Sequence, residues 1–239
     1  MKPATRLIFA MVAALAMAGP ATAACRQALV LALDVSGSVD HAEYRLQLEG
    51  LATALVDPEV QSLLLASPDV PIILSIFEWS GADYQKVILN WTPLSNRATL
   101  EQIAGGLLQQ QRARASFSTA IGHALNHAIT LLDTAPRCFV DTIDISGDGK
   151  NNDGPRPKSV MIAAARGNLT VNGLVVGIPA GPDQEMLEQE VAELTSYYKD
   201  EVIYGPDAFI ESAHGFQDFG RAMKQKLLRE VAQIVADAR

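Results

Sequence analysis

One aspartate and two serines follow directly after a continuous apolar run, as Asp34, Ser36 and Ser38 in the pattern DxSxS. A tight turn at the end of a strand can direct the carboxylate and both hydroxyls at one point. Oxygen ligands of these kinds suit a hard divalent cation such as Mg²⁺, which keeps waters or takes a ligand oxygen to complete its octahedron. The pattern is weak by itself, because ordinary strand-to-helix turns also contain it.

Two later segments carry side chains that could reach the same point. Asp148 follows a second apolar strand, and the carboxyl ends of parallel strands meet at one edge of a sheet. Thr119 opens a predicted helix after the loop 114–118, so its hydroxyl could approach from a third side. We therefore predict a Mg²⁺ site, with Mn²⁺ or Ca²⁺ as alternative ions, whose ligands are Asp34, Ser36, Ser38, Thr119 and Asp148.

Apolar runs alternate with helical patterns along the chain, which indicates a parallel sheet with helices on both faces. The polar turn 78–82 separates two apolar runs and predicts an antiparallel hairpin at the edge of the sheet. Strands are predicted at 28–33, 70–77, 86–91, 140–145, 169–178 and 209–210. Helices are predicted at 41–55, 100–111, 119–132, 159–166 and 185–195, with a last one at the C-terminus.

The last predicted helix is strongly amphipathic. Its apolar stripe indicates core packing and contains Phe216, Phe219, Met223, Leu227, Val231 and Ile234. Its basic residues, Lys224, Lys226 and Arg229, are expected to form a solvated face. Asp144 lies inside a predicted buried strand and needs a partner there, because an unpaired buried carboxylate is costly. The sequence does not identify that partner.

In the order and spacing of its five candidate ligands, the sequence resembles a von Willebrand factor A domain over about residues 26 to 235. In that family the matching residues form the metal-ion-dependent adhesion site. The resemblance implies an α/β fold with a doubly wound, mostly parallel six-stranded sheet in the order 3-2-1-4-5-6. One edge strand would be antiparallel, and helices would cover both faces. The usual Gly-Gly before the threonine is absent, which leaves Ser116 or Ser118 as alternatives to Thr119.

The resemblance also implies a binding function. An adhesion site of this kind docks a carboxylate from a protein partner on its metal, so the expected activity is not enzymatic. The segments 78–81, 171–174 and 197–206 further resemble an uncharacterised family of exported bacterial single-domain A proteins. We therefore expect an exported, metal-dependent adhesion module whose partner offers an acidic side chain.

The two cysteines, Cys25 and Cys138, are expected to form a disulfide, because an even count in an exported protein favours pairing. Each lies just before an apolar strand, so the two would be side by side if those strands were parallel neighbours. The alternative is a pair of unrelated free thiols. The strand order implied by the family resemblance places the first and fourth strands next to each other, as the disulfide requires.

The first residues are predicted to be an export signal rather than part of the fold. Lys2 and Arg6 precede the apolar run 7–17, and Ala21-Thr-Ala23 has the small-x-small pattern of a cleavage site. We assign 1–23 to the signal peptide and 24–239 to the A-like domain, with a periplasmic or secreted location. Lipidation at Cys25 is the alternative. No transmembrane segment is predicted after signal removal.

The formal net charge of −8 argues against nucleic acid as the partner. Two other functions compete with adhesion. One is a structural exported domain whose metal only stabilises the fold. The other is a phosphatase of the haloacid dehalogenase type, because residues 146–153 resemble the acidic loop of those enzymes. Such an enzyme needs a second aspartate two residues after its nucleophile, and Ser36 stands there, whose hydroxyl is a poor general acid.

Overall fold

The computed structural model of the protein describes residues 25–164, 167–178 and 184–237. The strands in these residues are β1 (Cys25–Asp34), β2 (Ile72–Trp79), β3 (Gln85–Pro93), β4 (Cys138–Gly147), β5 (Leu169–Val176) and β6 (Ile210–Ala213). They form one sheet in the order β3-β2-β1-β4-β5-β6, in which β3 is antiparallel to β2 and the other described pairs are parallel. The expected strand order and the antiparallel hairpin at the edge are confirmed.

Helices pack on both faces of this sheet. In the described residues they are α1 (His41–Val56), α2 (Pro58–Leu64), α3 (Arg97–Gln109), α4 (Ile121–Thr134), α5 (Pro157–Ala164), α6 (Gln184–Glu201) and α7 (Phe219–Asp237). Residues of α1, α2, α3 and α7 contribute to the core on one face. Residues of α4, α5 and α6 contribute to the core on the other face, so the sheet is doubly wound as expected.

Strand β1 lies inside the sheet, between β2 and β4, and all ten of its residues are buried. Successive side chains of a strand point to opposite faces, so the middle of β1, which is covered on both sides, is apolar at every position from Ala28 to Leu33. The core that includes α1 and α7 contains Leu29, Leu31 and Leu33. The core that includes α4 contains Ala28, Val30 and Ala32.

The pairing of β1 with β4 places Cys25 directly opposite Cys138, and these residues form a disulfide with a Cα–Cα distance of 4.6 Å. The predicted bridge is therefore confirmed. At the other end of the same strand pair, Leu33 lies opposite Ser146. The segments that follow the two strands therefore leave the sheet side by side.

Some local predictions differ from the structure. The helix α2 was not predicted; it begins with Pro58 directly after Asp57, whose carboxylate accepts hydrogen bonds from the backbone N–H groups of Glu59 and Val60. The helix α4 begins at Ile121, two residues after the predicted start at Thr119. The strand β6 covers Ile210–Ala213 rather than 209–210.

The N-terminal predictions fall on residues that the structure does not describe. The predicted signal peptide, 1–23, lies outside the described residues and stays a prediction, as does the placement of the Ile234 side chain. Across the described ranges, none of the helices is both long and apolar enough to cross a membrane.

The prediction that Lys226 belongs to a solvated face is wrong. Its side chain is fully buried, and its ammonium group pairs with the carboxylate of Asp144. A second carboxyl group, that of Glu230, lies 3.6 Å from the same ammonium group. Burial and the nearby charge of Asp144 raise the pKa of Glu230 well above its ordinary value. Asp144 thus has its partner in α7, and this ion pair ties α7 to β4.

We expect Lys226→Met to lower the free energy of unfolding by about 3–5 kcal/mol, because Asp144 would be left as an uncompensated buried charge. Lys224→Met on the same helix is the matched control. Lys224 is partly exposed and pairs with Asp57 and Glu59, so its loss should cost no more than about 1 kcal/mol. Urea denaturation followed by circular dichroism measures both. Equal losses in the two variants would contradict this assignment.

Candidate metal centre

The loop between β1 and α1 holds the first three predicted ligands. Asp34 ends β1 and is buried, and its Oδ1 accepts a hydrogen bond of 2.8 Å from the backbone N–H of Ser36. This bond closes the turn and fixes the carboxylate. The Ser36 side chain is buried, whereas Ser38 is exposed, and their Oγ atoms are 3.3 Å apart. The carboxylate and the two hydroxyls therefore lie together at the carboxyl edge of the sheet.

Asp148 reaches the same place from the neighbouring strand. It directly follows β4, and its Oδ1 accepts a hydrogen bond of 2.7 Å from Ser38 Oγ. Its side chain is nearly buried, with 6 % of the residue exposed. The structure thus brings Asp34, Ser36, Ser38 and Asp148 together, as the strand-end argument predicted.

Thr119 lies next to this group, just before α4. It is buried, and its Oγ1 would be 3.7 Å from a Cβ atom on Gly149, the residue after Asp148. Ser116 and Ser118, the alternative hydroxyls, instead pack against Gly81 in the hairpin loop. The location of Thr119 beside the segment that carries Asp148 favours it over both serines. Its role as a metal ligand stays a prediction.

The polar loop 149–154 positions the Thr119 segment. Asn152 accepts a hydrogen bond of 2.8 Å from Thr119 N–H and donates its own N–H to Thr119 O at 2.9 Å. Asn151 Oδ1 accepts from the N–H of Gly122, and Asp153 Oδ2 accepts from Ala82 N–H. The composition of this loop is that of an ordinary surface turn. The asparagine-rich composition was the available signal for a loop that bonds to neighbouring backbone.

Two residues that sequence reasoning missed hold the β1–α1 loop from outside. Gln47 Nε2 in α1 donates to the carbonyl of Asp34 at 3.1 Å. Arg112 Nη2 donates to the carbonyls of Val35 and Ser36, at 3.0 and 3.1 Å. Because both contacts involve the backbone, they fix the loop and leave the ligand side chains free.

Burial controls the protonation of the two carboxyl groups in the cation-free protein. It raises the pKa of Asp34 to about 8, and the negative charge of Asp148 adds to this shift. Burial also raises the pKa of Asp148, although the hydrogen bond from Ser38 opposes it. In the described part of the chain, neither carboxylate forms a salt bridge with a lysine or arginine. A cation from solvent would relieve this repulsion.

The donor atoms fit a hard divalent cation. Asp34 Oδ2 and Asp148 Oδ2 are buried and have no hydrogen-bond partner among the described residues. They lie close to the hydroxyls of Ser36 and Ser38, and Thr119 Oγ1 lies beside Gly149, so the candidate ligand atoms are all oxygen. No described cluster of three or more His, Cys, Asp or Glu residues is suited to a metal, so any cation here depends on the hydroxyls.

Because Gly147 has no side chain, the Asp34 carboxylate has room beside it. A Cβ atom on Gly147 would be 2.6 Å from the hydroxyl of Tyr198 and 3.0 Å from Asp34 Oδ2. Trp79 closes the same space, at 3.5 Å from that position. Because Tyr198 and Trp79 are fully buried, neither can move aside freely.

Solved structures with a similar fold include a mussel byssus protein and a protein described as von Willebrand factor type A. Proximal thread matrix protein 1 from the mussel byssus aligns with a TM-score of 0.59 and 13% identity over 87% of this chain and 47% of its own. A form of it described as having a zinc-occupied MIDAS motif gives 0.57 and 16% identity, over 87% and 48%. The von Willebrand factor type A protein from Catenulispora acidiphila gives 0.52 and 17%, over 88% and 43%.

These similarities show the fold of the chain, which is like that of the von Willebrand factor type A structure. The chain spans less than half the length of each of these neighbours. A family model described as "Protein of unknown function (DUF1194)" matches residues 24–235, and the chain belongs to this family. A search of curated proteins found no significant match.

We expect the affinity for Mg²⁺ to rise by up to about tenfold per pH unit between about pH 5 and pH 8, because the ion must displace a proton. The pKa of Asp34 is raised to about 8, so this carboxyl is mostly protonated below that pH in the cation-free protein. Titration calorimetry at several pH values, in buffers of different ionisation enthalpy, measures affinity and proton release. A pH-independent affinity without proton release would contradict the expectation.

We expect Gly147→Ala to weaken Mg²⁺ binding by about tenfold or more, because the added Cβ displaces the Asp34 carboxylate or the buried Tyr198 ring. Gly149→Ala is the matched control, since its Cβ would meet Thr119 at an ordinary contact distance of 3.7 Å. That variant should bind within about twofold of the wild type. Calorimetric titration of the two folded variants decides, and equal affinities would argue against the predicted site.

Proposed function

We propose that this protein is an exported binding module that docks an acidic side chain of a protein partner on a divalent cation. The cation, Mg²⁺ by preference, would be held by Asp34, Ser36, Ser38, Thr119 and Asp148. One observation carries the proposal. The carboxylate oxygens Asp34 Oδ2 and Asp148 Oδ2 are buried without partners in the described structure, beside hydroxyls that can complete a coordination shell.

The candidate donor atoms favour binding of a partner's carboxylate to the cation. Two carboxylates and three neutral hydroxyls would give a bound cation few negative charges, so the cation stays attractive to another oxygen anion. A carboxylate from a partner can occupy the remaining position. The acidic surface does not oppose this, because the bound ion dominates the local field.

The compartment is supported by the disulfide and by the predicted signal peptide. Disulfides such as Cys25–Cys138 persist in oxidising compartments and are rare in the cytosol. Oxygen ligands favour Mg²⁺, Mn²⁺ or Ca²⁺ over softer ions. The zinc-occupied motif described for the mussel protein supports a divalent ion in this fold, and the choice of ion here is left to experiment.

The metal site is tested by titration of the mature protein with Mg²⁺ and Mn²⁺. Asp34→Asn should abolish or weaken binding at least about a hundredfold, because it removes one of two charged ligands. Asp69→Asn removes an exposed carboxylate just before β2, at the opposite edge of the sheet, and should bind as the wild type does. No binding heat in the wild type, or unchanged binding in Asp34→Asn, would contradict the site.

The binding function is tested by crosslinking the purified protein to envelope extract in Mg²⁺ and in EDTA, with Asp148→Ala and Asp69→Asn in parallel. A protein captured by the wild type and Asp69→Asn in Mg²⁺, and lost with EDTA or Asp148→Ala, is expected. Metal binding without such a partner would favour a purely structural ion. Turnover of p-nitrophenyl phosphate that Asp34→Asn abolishes would instead indicate an enzyme.

A further inference from the structure

A groove lies beside the candidate metal centre, between the β1–α1 loop and the segment before Thr119. We call it the arginine groove. Its volume of about 490 Å³ lies within the range of ~300–1,000 Å³ that is typical of ligand pockets. The residues that matter for its chemistry are Gly37, Asp40, His41, Arg112, Arg114 and Phe117.

Phe117 forms an exposed apolar wall of this groove. The residue is 90 % exposed, more than any other large hydrophobic residue in the described structure. Its ring and Cα lie against Gly37, where a Cβ atom would be 2.4 Å from Phe117 Cδ1. Since Gly37 stands between Ser36 and Ser38, this aromatic ring borders the candidate ligands directly. A single exposed phenylalanine on a protein surface is normal and needs no explanation. Phe117 is of interest because it lies beside the candidate metal ligands.

Arg112 and Arg114 supply positive charge to the groove. Neither side chain forms a salt bridge with a described carboxylate, whereas Arg156 and Arg221 do. Arg112 donates hydrogen bonds to carbonyl oxygens of the β1–α1 loop, and its Nε is buried without a partner in the described structure. Arg114 is exposed. The groove thus presents two arginines without carboxylate partners in the described structure, in a chain with 19 basic and 27 acidic residues.

The carboxylates nearest the groove already have partners in the helix cap. Asp40 Oδ1 accepts hydrogen bonds from the N–H groups of Ala42 and Glu43 at the start of α1. Glu43 Oε2 accepts from Asp40 N–H at 2.8 Å. These bonds orient both carboxylates toward the helix N-terminus. Both carboxylates therefore face the start of α1, and neither forms a salt bridge with Arg112 or Arg114 in the described structure.

We propose that the arginine groove selects the partner: it binds an acidic protein segment with a second carboxylate and an adjacent apolar side chain. The first carboxylate would dock on the cation, the second would pair with Arg114, and the apolar side chain would pack on Phe117. The argument is one of charge complementarity, and aromatic and arginine side chains are enriched at protein interfaces. This inference rests on the proposed function, because it assumes the docked first carboxylate.

The test uses the full mature protein and a phage-displayed library of short peptides with one fixed central aspartate. Selection is run in Mg²⁺ and in EDTA. Arg114→Ala and Phe117→Ala are the test variants, since both side chains are exposed and neither is among the candidate metal ligands. Arg97→Ala at the start of α3 and Phe139→Ala in β4 are matched controls; both residues are exposed and lie toward the opposite edge of the sheet.

Mg²⁺-dependent enrichment of peptides with a second acidic residue and an apolar residue close to the fixed aspartate is expected. Affinity for the best peptide should fall about tenfold in each test variant and stay within about twofold in each control. Mg²⁺-dependent binding that ignores the flanking residues and both test substitutions would overturn the role of the groove and leave the docking site standing. No Mg²⁺-dependent enrichment of any peptide would overturn both.

Discussion

Two carboxylates, Asp34 and Asp148, are buried next to each other where adjacent strands end, and the described part of the chain supplies neither with a cationic partner. Their mutual repulsion and their burial both favour the neutral forms until a cation arrives. The surrounding architecture keeps this arrangement in place. The hydrogen bonds from Gln47 and Arg112 fix the loop backbone, and Asn152 fixes the segment that carries Thr119. The protein is therefore organised around two buried carboxyl groups to which its described residues supply no cation.

The pairing of β1 with β4 accounts for both the disulfide and the candidate metal centre. At the start of the two strands the register brings Cys25 against Cys138, which allows the disulfide. At their end the same register delivers Asp34 and Asp148 to one point. The buried pair of Lys226 and Asp144 attaches α7 to β4 between these ends. A covalent link, an ion pair and the candidate metal centre thus share one pair of strands.

The strands and the strand-end candidate ligands could be predicted from the sequence because strand burial and strand-end polar residues leave local patterns. The strand order was implied by the family resemblance. Asp34 and Asp148 each follow an apolar run, and such a signal needs no knowledge of contacts. The partners of buried polar groups could not be predicted in this way. Lys226 was expected on a solvated face because of its charge, although it lies seven residues after Phe219 and three after Met223, a spacing that fits the buried face. Its burial depends on Asp144, a residue distant in sequence.

The roles of the loop residues could not be predicted from the sequence either. Asn151 and Asn152 have the composition of a surface turn, and their function arises from backbone groups of another segment that folding brings near. Arg112 was equally unpredictable, because its contacts to the β1–α1 loop are made across 76 and 77 residues of sequence. Spacing within a motif indicates candidate ligands, whereas the residues that hold the motif in place must be found in three dimensions.

The most direct measurement of the central claim is an anomalous difference map from crystals of the mature protein grown with Mn²⁺. A strong peak is expected at metal–oxygen bonding distance from the hydroxyls of Ser36 and Ser38, between the carboxylates of Asp34 and Asp148 and beside Thr119. A map without a peak at that point, under conditions in which Mn²⁺ occupies other acidic positions of the same crystal, would contradict the claim.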